Sequence, residues 1–229
     1  MARGRSELTR LEIIQYATRT FLEKGYSVTR VREIANELNI SPGNLTFHYP
    51  TKEHMLAELV TLLCDFQWKM MEVEAQDGVS SLMAVCLELA AMASICEEDQ
   101  PAKDFYLSAY CSPMCLGIIR TNDTVRAKRV FGVYCADWSE EHFLEAEILV
   151  SGIEYATLMT AGTPVPLETR LAGALNAILG TYNVPPEIRK MKIDKLLTLD
   201  YRGIGRRILN EFKKYVNEAN DQALDDLQR

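Results

Sequence analysis

Long apolar runs are missing from this 229-residue chain. The longest uncharged stretch, Leu171 to Pro186, is broken by Gly173, Asn176, Gly180, Pro185 and Pro186. It falls short of the roughly 18–20 apolar residues that a membrane helix needs. The first ten residues lack the apolar core of a secretory signal, so a cytoplasmic protein is expected. Cysteine is scarce: six residues, at 64, 86, 96, 111, 115 and 135, most among Leu, Met and Ala. That is too few for a disulfide scaffold and suits thiols acting as small apolar fillers in a reducing compartment. Cys111 and Cys115 stand four apart with Pro113 between them, and only His142 lies near in sequence. A zinc site would need two further ligands, so no metal and no cofactor is expected. A Gly-rich phosphate loop, HExxH, GxSxG and paired CxxC motifs are all absent. Nothing in the sequence supports an enzyme.

What is present is an ordinary globular composition, 48% hydrophobic and 25% charged, long enough for one or two domains and a sizeable core. The net charge of −7 argues against a general polyanion binder. Its distribution is uneven. Residues 1–50 carry seven basic and five acidic side chains, leaving −9 for the rest, a modest hint of an anionic partner at the N-terminal end.

Helical spacing dominates, with no convincing strand alternation, so an all-α fold is expected. A first helix is predicted over Glu7–Lys24, with Ile14, Ala17 and Phe21 on one face and Gly25 at its C-cap. A second starts near Thr29 as N-cap and repeats Val31, Ile34, Ala35 and Leu38 on one stripe. Asn39 tolerates the left-handed turn that follows. The third has a full start signal: Ser41 to cap, Pro42 at N1, and Ile40 placed to staple onto Leu45. It ends near Tyr49–Pro50, and Thr51 opens a long fourth helix. Further helices are expected near 79–97, 101–111, 114–120, 123–136, 139–161, 166–182, 186–198 and 203–219, with a frayed polar tail after them. No period of 20–50 residues suggests a solenoid.

Three short helices with a tight turn between the second and third describe a helix-turn-helix, and small Ala35 lets the third approach closely. The run from Ile14 to Leu59 resembles the N-terminal domain of the tetracycline-repressor (TetR) family. It carries Phe21…Gly25-Tyr26, Thr29, Ile34-Ala35, Ser41-Pro42-Gly43-Asn44-Leu45, His48-Tyr49 and Lys52-Glu53-His54-Met55 in the family's order. The resemblance implies a DNA-binding domain over residues 1–52 and a larger helical effector-binding and dimerisation domain over 53–229. It makes helix three the recognition helix in the major groove. Asn44 is suited to adenine, and Gly43 keeps the surface low enough for backbone to approach. Thr29, Ser41 and His48 can donate to phosphates, and Arg30 and Lys52 add charge, contacts that position without specifying sequence. Arg3 and Arg5 extend this on an arm. The family's usual phosphate-contacting Tyr is here Thr46, which keeps a hydroxyl but shortens its reach. Ser41 and Thr29 also read simply as caps, Arg30 and Lys52 as solvated charges, and Tyr49 as core.

The same resemblance implies a homodimer with a four-helix interface, released from palindromic operator DNA by a small-molecule effector. The helices near 139–161 and 166–182 are candidates for that interface, with Gly152, Ala156, Ala161, Ala172, Gly173 and Ala174 as small contact residues. Candidate effector-pocket residues are Glu88, Tyr106, Tyr110, Trp138 and Glu154, with Met92 and Met114 beside them. An apolar-lined Glu88 favours a cationic ligand, unless it reaches solvent or pairs with an arginine; the aromatics fit ordinary core equally. Residues 186–214 hold nine basic and four acidic side chains. They read either as a nucleic-acid or membrane-surface patch or as a surface helix packed by one face. The expected function is therefore a ligand-responsive transcriptional regulator, a repressor by preference. The alternative is a small-molecule-binding or interaction protein whose helix-turn-helix no longer reads DNA.

Overall fold

In a computed structural model, residues 2–76, 80–160 and 162–228 are described, the side chains of 2–5, 71–76 and 228 excepted. The described residues form eleven α-helices: α1 (Ala2–Lys24), α2 (Val31–Glu37), α3 (Pro42–His48), α4 (Lys52–Gln76), α5 (Ser81–Glu98), α6 (Gln100–Cys111), α7 (Pro113–Phe131), α8 (Glu140–Met159), α9 (Leu167–Thr181), α10 (Pro186–Leu197) and α11 (Tyr201–Gln228). No strand occurs among the described residues. All six cysteines are free; five are buried and Cys111 is exposed, its Sγ 3.6 Å from the Tyr155 hydroxyl.

The N-terminal helices close on one another through fully buried side chains, Ile13, Ala17 and Phe21 from α1, Ile34 and Ala35 from α2, Leu45 from α3 and Met55 and Leu56 from α4. Gly25 ends α1 at φ +109°, with its N–H donating to the Phe21 carbonyl at 3.1 Å. Asn39 takes φ 54°, and the Ile40 N–H then closes the turn on the Ala35 carbonyl at 3.0 Å. Ser41 caps α3 by accepting from the Asn44 N–H at 3.1 Å. Thr29 differs from its expected role. It is buried, its hydroxyl donates to the Gly25 carbonyl at 2.6 Å, and Arg30 is the N-cap of α2. There the Glu33 carboxylate accepts from the Arg30 backbone N–H.

In the larger part, α5 runs through the middle and α4, α6, α7, α8 and α9 surround it. Three boundaries depart from the expected ones. The helices expected at 114–120 and 123–136 are one helix, α7. The polar residues that looked like a break are satisfied inside it: Thr121 donates back to Gly117, and Asn122 accepts from the Trp68 indole at 2.7 Å. The expected arm carrying Arg3 and Arg5 is the first turn of α1; their side chains lie outside the described residues. The tail expected to fray is the last part of α11, which packs along α1. Asn220 is buried there and donates to the Thr18 hydroxyl at 3.0 Å, beside a Gln15–Asp221 bond of 2.6 Å.

The basic segment 186–214 has specific partners. Arg202 and Arg206 reach Glu98, Arg202 also reaches Glu97 at 3.0 Å, and Lys213 reaches Asp99 at 3.2 Å. Three of the nine basic groups thus face the acidic end of α5, and Lys190 and Lys214 pair within their own helices with Asp194 and Glu218, which accounts for the segment as packed surface helices.

Candidate nucleic-acid interface and core cavity

Helix α3 turns one face inward through Leu45 and leaves Ser41, Pro42, Gly43, Asn44, Thr46 and Phe47 exposed. Phe47 keeps 76% of its surface, a large apolar ring with nothing of its own chain to cover it. A Cβ on Gly43 would meet only the Ser41 hydroxyl, at 3.9 Å. The fold therefore does not need glycine there, whereas a close approach from outside would. The Asn44 side chain is free of partners among the described residues. Thr46 donates back to the Pro42 and Gly43 carbonyls at 3.1 and 3.2 Å. His48 is half-buried, its ring edge-on to Phe47. Tyr49 is core, with the Arg10 guanidinium over its ring.

Two residues expected at phosphates are turned toward the protein. Thr29 is one; Lys52 is the other. Its ammonium donates to the carbonyls of Tyr26 at 2.8 Å and Thr29 at 3.1 Å, and lies 4.1 Å above the Tyr26 ring. Burial lowers its pKa. Lys52 thus ties the start of α4 to the α1–α2 turn. The same turn is gripped from the larger part of the chain: Asp104 of α6 accepts from the Ser27 N–H and hydroxyl at 2.6 and 2.5 Å. Ser112, which caps α7, donates to Glu53 of α4. Arg30, by contrast, stands exposed at the tip of α2.

Between α4, α5, α6, α7, α8 and the end of α9 lies a cavity of about 60 Å³, lined in part by Glu88, Tyr106, Tyr110 and Glu154. Four of the five expected pocket residues are there. Trp138 is not: it packs edge-on to Phe143 and beside Tyr182, because the turn after α7 carries it past the lining. Met92 lines the cavity and Met114 is exposed. Sequence reasoning missed Asp123, Arg126, Glu147 and Tyr182, all in the lining. The available signal was two acidic residues, 147 and 154, seven apart and so on one face of an otherwise apolar helix.

Arg126 pairs with Glu88 and, at 3.2 Å, with Asp123; Gln67 also donates to Glu88. Tyr182, stacked on Phe131 at 4.0 Å, donates to Glu147, and Tyr110 donates to Glu154 at 2.8 Å. Burial pushes the Asp123 carboxyl up to about 6, against the pull of Arg126. Burial, reinforced by Asp123, pushes Glu147 up to about 7 and Glu154 well above the usual carboxylate range. Among the described residues no group of three His, Cys, Asp or Glu could hold a metal ion.

An exposed short helix entered by a tight turn and backed by two buried ones defines a helix-turn-helix protein. Residues 13–59 match the family described as "Bacterial regulatory proteins, tetR family". An uncharacterized HTH-type transcriptional regulator of Bacillus subtilis (strain 168), YuxN, is 40% identical over 53 residues. That match covers 23% of this chain and 18% of the relative, so the chain spans under a fifth of the curated relative's length. Among solved structures, the TetR family protein CprB from S. coelicolor A3(2) is 22% identical with a TM-score of 0.47, over 84% of this chain and 98% of that one. A gamma-butyrolactone receptor (ArpA like protein) is 24% identical with a TM-score of 0.40, over 90% and 98% of the two chains. Among the described residues no helix is long and apolar enough to cross a membrane.

Proposed function

We propose that the protein is a ligand-responsive transcriptional regulator, a repressor rather than an enzyme, that binds palindromic operator DNA as a homodimer and leaves it when a small molecule fills the core cavity. The observation that carries this reading is α3: a capped helix with Ser41, Gly43, Asn44 and Phe47 exposed, the Asn44 side chain having no partner among the described residues. Asn44 reads base edges. Ser41, Thr46, His48 and Arg30 face the backbone, and Thr29 and Lys52 hold the unit in shape.

The dimer follows from α8 and α9. Leu144, Ile148, Gly152, Ala156 and Met159 lie exposed along one stripe of α8, and Gly173 and Ala177 lie exposed on α9. A Cβ added at Gly152 or Gly173 would meet nothing. An apolar stripe with small residues suits a second copy of the same helices packed about a two-fold axis.

Selection from a random duplex pool at near-physiological salt tests the reading. Enrichment of one palindrome with half-sites about 34–36 Å apart or somewhat more is expected. Asn44→Ala should lose about 1–3 kcal/mol of preference at one base pair. No enrichment by folded, ligand-free protein would overturn the reading. It would favour the second one, a ligand-binding protein with a silent helix-turn-helix, for which the inward hydroxyl of Thr46 and the engaged ammonium of Lys52 speak.

A further inference from the structure

The effector reading leaves the chemistry of the ligand open, and the cavity's unpartnered polar atoms narrow it. Among the described residues the lining contains four carboxyl groups and one cationic side chain, Arg126. That guanidinium is committed to Glu88 and Asp123. The remaining two carboxyls, Glu147 and Glu154, have only phenol donors, each on one oxygen. Glu147 Oε2 and Glu154 Oε1 have no partner among the described residues. Glu147 is only 3% exposed and lines the cavity. A third polar atom is also vacant: Tyr106 is 4% exposed, lines the cavity, and its hydroxyl has no partner among the described residues.

A second cavity of about 50 Å³ adjoins the first and shares with it Leu63, Gln67, Glu88, Met92 and Tyr106. Its other walls are apolar, with Phe66, Ile95, Ile208 and Phe212 among them. The pair is thus a polar, acid-rich chamber that shares a wall of side chains with an apolar one. An anion would meet four carboxyls and no uncommitted cation. A neutral ligand would leave Glu147 and Glu154 as they are. A metal ion lacks three converging ligands.

We propose that this double cavity binds an organic ammonium ion, its N–H groups donating to the unpartnered oxygens of Glu147 and Glu154 and its apolar body lying against Tyr106, Met92 and the Phe66–Phe212 wall. The proposal rests on the effector reading above and names the ligand class of that site. The aromatic edges and faces of Tyr106 and Tyr110 add cation–π attraction in a desolvated space. Burial raises the pKa of both carboxyls in the empty cavity; the ammonium supplies the counter-charge that Arg126 does not, so they release their protons as it binds and binding tightens as pH rises.

The test uses the full chain and three ligands of nearly equal length with heads of different charge: 4-phenylbutylamine, 4-phenylbutan-1-ol and 5-phenylpentanoate. Calorimetric titration at neutral pH should show the amine about tenfold or more tighter than the alcohol, and no binding by the carboxylate. Glu154→Gln keeps an acceptor for Tyr110 and removes the charge; with Glu147→Gln it should erase the advantage of the amine while leaving the alcohol unchanged. The order of the three ligands on the native protein stands as a test even if a Gln variant fails to fold. Alcohol binding as tight as amine binding, or no amine binding at millimolar concentration, overturns the proposal. The same amine added to the complex with a selected operator separates the two readings. Binding without release of DNA would remove the effector role and keep the ammonium site. Intact DNA recognition with no amine binding would remove the ammonium site alone.

Discussion

At the scale of single residues, charge and burial are in tension in two places. Folded Glu147 holds its proton up to about pH 7, whereas an unfolded glutamate releases it near 4.5. Between those values the folded chain binds more protons, so raising the pH favours unfolding. The contribution is fully present below the unfolded value and is lost as pH rises through 7. Asp123 and Glu154 act in the same direction. Thermal unfolding of the ligand-free protein should therefore show stability falling from pH 5.5 to 8.5. Glu147→Gln should flatten the curve, removing on the order of 3 kcal/mol of pH dependence.

Lys52 gives the second prediction. Lys52→Met leaves two carbonyls of the α1–α2 turn without a donor, which should cost about 1–3 kcal/mol in urea unfolding. It should weaken every DNA sequence alike without altering the salt slope. Arg30→Ala should do the reverse, sparing stability and lowering the slope by about one.

At the scale of elements, most of the fold was legible because local chemistry decided it. Ser41-Pro42 started α3, Gly25 ended α1 and Asn39 turned the chain, each by a mechanism confined to a few neighbours. The misreadings needed distant partners. Asn122 reads as a helix breaker until Trp68 is beside it, and the last ten residues read as a loose tail until Thr18 accepts from Asn220. The cavity was half legible for the same reason. Glu88 stood out against apolar neighbours, but its pairing with Arg126 spans 38 positions, and Trp138 looked like a pocket aromatic until the turn after α7 took it elsewhere. Two element-scale outcomes follow. Asn220→Ala should lower stability by about 1–3 kcal/mol, read by thermal unfolding, since it strips a buried bond between α11 and α1. Ile148→Glu, placing charge on the exposed stripe of α8, should give a folded monomer by sedimentation, against the dimer expected of the native chain.

At the scale of the whole molecule, the cavity and α3 lie in different parts of one continuous core. Besides the packing of α1 on α6 and α11 and of α4 on α7, polar bonds join them. Asp104 holds Ser27, Ser112 holds Glu53, and both come from α6 and the start of α7, the helices that also carry Tyr106, Tyr110, Asp123 and Arg126. A ligand that shifts α6 or α7 thus acts on the α1–α2 turn and on the first turn of α4 together. Its leverage equals its differential affinity for the two arrangements.

The pairing of Thr18 with Asn220, 202 positions apart, also sets the order of events during synthesis. A ribosome adding about 5–20 residues per second needs roughly 10–40 s to travel from one to the other. For that interval the Thr18 side of α1 has no α11 to rest on, while α2 and α3 already have what they need to assemble. Helix α3 is thus made early and braced late, and a chain stalled before residue 220 presents it without that support.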